Sequence, residues 1–157
     1  MKTKFIAIIL LCLAFTSVCY AQNSNKLFDK YAETDGVTSV YISKAMFRMM
    51  PAMENIGLNL MNMKGKMESL YVLSTVKKEL IPQMRKEFSQ LIQKDHEELM
   101  RVRDGKAKTT FYGNMKGDIV KDLLMLSEAD EQFTIIQLLG NFTLQDIQEI
   151  SGGNNQN

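Results

Sequence analysis

Apolar positions are densest between Asp118 and Ile150, where DIVKDLLMLS and QFTIIQLLGN flank the acidic tetrapeptide EADE and FTLQDIQEI follows. Short apolar runs bounded by turn residues predict two strands, Ile119 to Ser127 and Gln132 to Gly140, joined by a tight turn. Thr143 is then placed to cap a helix, and Asp146 three residues on makes a pair resembling a capping box. Gly152-Gly153 ends that helix, and NNQN is a frayed tail. Other elements are expected to pack on this ribbon.

Upstream, Leu27, Phe28 and Tyr31 in KLFDKYAET (26–34) fall at the spacing of a short amphipathic helix. Asp35-Gly36 signals a turn, and VTSVYIS (37–43) is β-branched and aromatic, hence a strand. Ser43 can cap a helix from Lys44, which Pro51 breaks or restarts. ESLYVLST (68–75) is a second strand. The longest helix is expected to start at Thr75 or Lys77 and run to about Lys94. Its stripe is Leu80, Ile81, Met84, Phe88, Leu91 and Ile92, with Pro82 tolerated in the first turn. ELMRVRD (98–104) alternates, Asp104-Gly105 signals a hairpin, and KTTFYGNM (108–115) returns before a turn at Lys116-Gly117.

The fold class expected is therefore α+β. A single mostly antiparallel sheet of about six strands carries helices packed on one face and ends in a four-strand meander. With 157 residues, one domain is the default. Its ordered core is expected at about residues 27–151.

Residues 1–21 are read separately. Lys2 and Lys4 precede an apolar run from Phe5 to Val18, and Cys19-Tyr20-Ala21 resembles a cleavage site, so a secretory signal peptide ending at Ala21 is expected. Of 157 residues, 136 then remain, with 17 basic against 18 acidic side chains once Lys2 and Lys4 are gone. Both cysteines, Cys12 and Cys19, leave with the leader, so packing alone would hold the remainder. A lipoprotein signal would use Cys19, but Val18 fits poorly before it. Membrane attachment is expected only if Cys19 is lipidated or the leader stays uncleaved. The near-neutral balance argues against nucleic acid as a partner.

Chemistry-bearing groups are few. Met46, Met49, Met50, Met53, Met61, Met63 and Met67 crowd one segment. Core filling is the expectation for them. A docking surface, with Met53, Leu58, Met61 and Met63, is the second reading. A Cu(I) site through Met46, Met49, Met50, Met53, Met61 and Met63 is the third, since soft thioethers select that ion. The lone histidine, His96, lies in DHEE, read as a solvated helix-to-strand junction. Asp118, Asp122, Glu128, Asp130 and Glu131 ring the ribbon, and EADE is read as a charged turn protecting it. Arg101 and Arg103 with Phe111 and Tyr112 imitate a single-strand nucleic-acid platform. No Gly-x-Ser-x-Gly, phosphate loop or dinucleotide fingerprint occurs, no catalytic residue is assigned, and no cofactor is expected.

VTSVYISKAMFRMMP, ESLYVLST with its long helix, and QFTIIQLLGNFTLQDIQEI together resemble domain of unknown function 4252, from about Phe28 to Ile150. The resemblance implies an exported α+β protein of a Gram-negative bacterium, in the periplasm or outer envelope, with no catalytic signature to transfer. The function expected is a non-catalytic interaction or structural module with an envelope protein as partner. The alternative is a small-ligand or Cu(I) binder, and an enzyme is the third reading.

Overall fold

The computed structural model describes residues 21–49 and 65–152. In chain order the elements are α1 (Ala21–Ala32), β1 (Val37–Ser43), α2 (Lys44–Met49), β2 (Met67–Thr75), α3 (Ile81–Asp95), β3 (Glu97–Asp104), β4 (Ala107–Lys116), β5 (Ile119–Ala129), β6 (Gln132–Phe142) and α4 (Leu144–Gly152). The six strands form one open sheet in the order β1-β2-β6-β5-β4-β3, with every pair antiparallel. The α+β class and the closing meander follow the sequence pattern.

Two of the meander's turns use glycine where the backbone needs it, at Gly105 (φ 57) and Gly117 (φ 63). Gly140 is required for another reason. A side chain there would run into the carbonyl oxygen of Lys66, just before β2. The same carbonyl accepts the Asn141 N–H at 3.0 Å, fixing the junction where β2 joins β6.

The helices do not share one face, as the sequence reading had them. α1 and α3 cover one side, where Phe28, Tyr31, Met84, Phe88 and Ile92 pack against Leu73, Leu124, Leu126, Phe133 and Ile135. Phe47 of α2 and Ile147 and Ile150 of α4 pack on the other, against Leu70, Leu123, Met125 and Leu138. Neighbouring strand residues point to opposite faces. The unbroken run Leu123 to Leu126 is buried throughout because β5 faces a core on each side.

The long helix also starts later than its sequence suggests. Thr75 still pairs in the sheet with Val37 and Phe133, so it cannot cap a helix. Its Oγ1 donates to the Gly36 carbonyl (2.8 Å) and accepts the Lys77 N–H (3.1 Å), closing the strand. A separate turn then bonds the Leu80 N–H to the Lys77 carbonyl, and α3 begins at Ile81 with proline in its first turn.

One polar clasp ties the first half of the sheet to the last helix. The Thr143 N–H donates to Asp146 Oδ2 (2.8 Å) and the Asp146 N–H donates to Thr143 Oγ1 (3.2 Å), a reciprocal capping box. Lys66 Nζ reaches the same carboxylate at 2.6 Å. Burial alone would raise the Asp146 pKa. Hydrogen bonds from Lys66 and Thr143 outweigh it and hold the carboxyl below its ordinary value. Because the folded pKa is the lower one, this contribution is present above the unfolded value and fades as pH falls through the folded one. Asp146→Asn should therefore flatten the acid limb of a urea-midpoint-against-pH curve. Thr143→Ala should cost about 1 kcal/mol at neutral pH.

The opposite sign applies to Tyr31. Burial, with the nearby Glu87 carboxylate adding to it, pushes its phenol up to about 12. Its hydroxyl is buried without a well-aligned hydrogen bond. The stability linked to the protonated phenol is complete below pH 10 and lost on approach to about 12. Tyr31→Phe should match or exceed the wild type at pH 8 in urea melts, and its advantage should grow at pH 11.

Candidate functional site

Some candidate residues are placed clearly. α2 has only six residues, and Phe47 takes its core-facing side. Met46 and Met49, three apart, fall together on another side and are 44% and 73% exposed. They are therefore not core residues, against expectation, whereas Met67 at the start of β2 is buried. Met50, Met53, Leu58, Met61 and Met63 lie outside the described residues. Among the described residues no group of three or more His, Cys, Asp or Glu could hold a metal ion.

The acidic turn meets cations. Arg85 pairs with Glu128 (2.5 Å), Lys106 with Asp130 (2.6 Å) and Lys78 with Glu131 (2.8 Å). Phe111 and Tyr112, adjacent in β4, belong to opposite cores and so cannot form one stacking platform.

His96 overturns its sequence reading. It follows α3 in extended conformation, its N–H held by the Ile92 carbonyl, and its side chain is 4% exposed. The flanking Asp95, Glu97 and Glu98 are exposed. Glu98 pairs locally with Arg101. What faces His96 comes from elsewhere in the chain. Asp122 Oδ2, on β5, lies 3.4 Å from Nε2, and Gln137 Nε2, on β6, donates to that same oxygen at 2.9 Å. Both ring nitrogens of His96 and Asp122 Oδ1 are buried with no hydrogen-bond partner.

Gln137 of this polar group also lines a cavity of about 390 Å³ on the α1–α3 side of the sheet, together with Asn25, Asp29, Tyr41, Ser69, Tyr71 and Leu139. Register explains the assembly. Tyr41, Tyr71 and Gln137 are successive cross-strand partners on β1, β2 and β6, and Ser69 and Leu139 form the next rung. Above these rungs the sheet is covered by α1 and α3, and Asn25 and Asp29 of α1 form the rim.

Aromatic contacts fix the wall. Tyr71 lies between Phe28 (centroids 5.2 Å) and Tyr41 (4.8 Å), and Tyr41 is 58% exposed. The Tyr71 hydroxyl donates to Asp29 at 2.9 Å, and burial together with that bond raises its pKa. On the floor, a carboxylate can only accept, so Asp122 holds the NH₂ end of Gln137 and turns its carbonyl oxygen away. The cavity thus offers ring faces and oxygen acceptors, with one carboxylate in its lining.

Sequence reasoning did not bring these residues together because α1, β1, β2 and β6 supply the lining, while Asp122 of β5 was read as a charge ringing the ribbon and His96 as solvated. One signal was available: Asp122 and Gln137 interrupt apolar runs in strands that are otherwise buried. Such interruptions mark where a buried polar group needs partners.

No curated protein and no solved structure matches the chain. Residues 31–150 match the model of the family described as Domain of unknown function (DUF4252). That span takes in every element from the end of α1 to Ile150 in α4, and the chain belongs to this family.

Proposed function

We propose that the protein is an exported, non-catalytic interaction module of the cell envelope, and that an extended segment of an envelope partner adds to its sheet along β1. The contrast between the two edges of the sheet supports this reading. β3, at one edge, carries Glu97, Glu98, Arg101, Arg103 and Asp104, the charges with which sheets discourage pairing. β1, at the other, is VTSVYIS, without a charge, and Val40 is 43% exposed. An uncharged edge of seven residues can take a further strand through main-chain hydrogen bonds. The exposed Met46 and Met49, just past its end, would extend that surface with adaptable side chains. The lysine-led apolar run and the small residue at Ala21 support export.

Export is tested by N-terminal sequencing of the protein from the periplasmic and envelope fractions of its host. The expected start is Gln22. A chain beginning at Met1 in the cytoplasm would end this reading.

Docking is tested by cross-linking in the envelope with a photoreactive residue at Thr38. One partner should be captured, and Val40→Lys should reduce its yield at least tenfold while leaving the circular dichroism spectrum unchanged. Equal capture by Val40→Lys would show that the edge is not the contact.

A further inference from the structure

We propose that the cavity between α1 and the sheet is a binding site for a small organic cation, an ammonium group carried on a compact apolar body. Its lining holds one carboxylate, Asp29, and no lysine or arginine. Among the described residues that carboxylate has no ion-pair partner, and its one side-chain donor is the neutral Tyr71 hydroxyl. Anions are thereby disfavoured, while a cation would gain a charge that the fold leaves uncompensated.

The tyrosines add the second half of the recognition. Ring faces attract cations through their quadrupole, and ammonium groups suit that contact well. Tyr41 presents an exposed ring, and Tyr71, held between Phe28 and Tyr41, keeps its neighbour's orientation fixed. The third element is the Gln137 amide. Because Asp122 engages its nitrogen, its carbonyl oxygen is the end left for a donor, and no donor among the described residues takes it.

Inorganic divalent cations fit less well. They require several oxygen ligands in a closed shell, and one lining carboxylate with two ring faces does not provide that. A volume of about 390 Å³ falls within the range of small-molecule sites, larger than a bare ion needs. The docking reading uses the main chain of β1 and Val40, whereas β1 gives the cavity only Tyr41, so this proposal and the docking reading fail independently.

The test is an NMR titration of the purified mature protein with choline, following the ring signals of Tyr41 and Tyr71 and the Gln137 side-chain amide. Glucose and acetate serve as the neutral and anionic comparisons. Choline should shift these signals saturably, and the other two should not. Asp29→Asn and Tyr41→Ala, both at exposed positions, should each weaken choline binding at least tenfold while their remaining spectra overlay the wild type. Saturable shifts with glucose and none with choline would overturn the cation assignment in favour of a polyol. No saturable shift with any of the three, or unchanged choline affinity in Asp29→Asn, would overturn the site itself.

Discussion

Everything in this fold depends on β5 and β6 being buried on both faces. They stand at the middle of the sheet, and β6 joins β2 through partners 58 (Thr75–Phe133) to 73 (Met67–Gly140) residues apart, so β1 and β2 enter the sheet through it. Leu123 to Leu126 and Phe133 to Leu138 feed two cores at once. A fully buried leucine contributes on the order of 1.5–3 kcal/mol, against about 0–1 kcal/mol for an exposed ion pair. The four residues of the β5 run therefore outweigh the pairs that Glu128, Asp130 and Glu131 make around the turn. Those pairs keep an apolar hairpin soluble and fix where α3 and the β3–β4 turn approach it.

An open sheet with two covered faces still has two edges, and their difference follows from how the chain enters and leaves. β3 and β4 are linked by a two-residue turn, and β3's alternate positions are charged because little packs on them. β1 is flanked by α1 before it and α2 after it. Its Ile42 and Val37 reach the two cores, while Thr38, Ser39 and Val40 stay outside without a charge. The same geometry leaves the lower rungs of the α1–α3 face uncovered, and Tyr41 and Tyr71 meet there.

Strand positions were legible in the sequence because turn residues punctuate them: Asp35-Gly36, Asp104-Gly105 and Lys116-Gly117 each bound an observed strand. The caps at Ser43 and Thr143 were legible for the same local reason, and the structure places the Ser43 hydroxyl 3.5 Å from the Met46 N–H. The covering of both faces was not read, although the unbroken Leu123–Leu126 run carries it, since a strand with one wet face alternates. The start of α3 was not legible, because Thr75 is a good cap whose hydroxyl is claimed by Gly36 from thirty-nine residues away. The cavity was less legible still. No local pattern shows that Asp29, Tyr41, Tyr71 and Gln137 share a corner, and only the sheet register brings them together. His96 beside three carboxylates looked solvated, yet its contact is with Asp122, far along the chain.

Two carboxylates, the buried Asp146 and the half-buried Asp122, show where folding and function part. Asp146 accepts from Lys66, from the Thr143 N–H and from the Thr143 hydroxyl. It is satisfied, and it contributes a helix cap and a link between sheet and helix. Asp122 has a single well-formed donor, Gln137, and an orphan Oδ1, beside a histidine whose ring nitrogens are also orphans. Leaving a buried polar group without a partner costs about 1–3 kcal/mol, and leucines at both strand positions together would remove the share of it that falls on Asp122. Stability alone therefore does not account for Asp122 and Gln137. Their geometry does have a use: the carboxylate orients the amide so that its carbonyl oxygen is left for the cavity. The site thus takes up, as a fixed acceptor, part of what the core gives away.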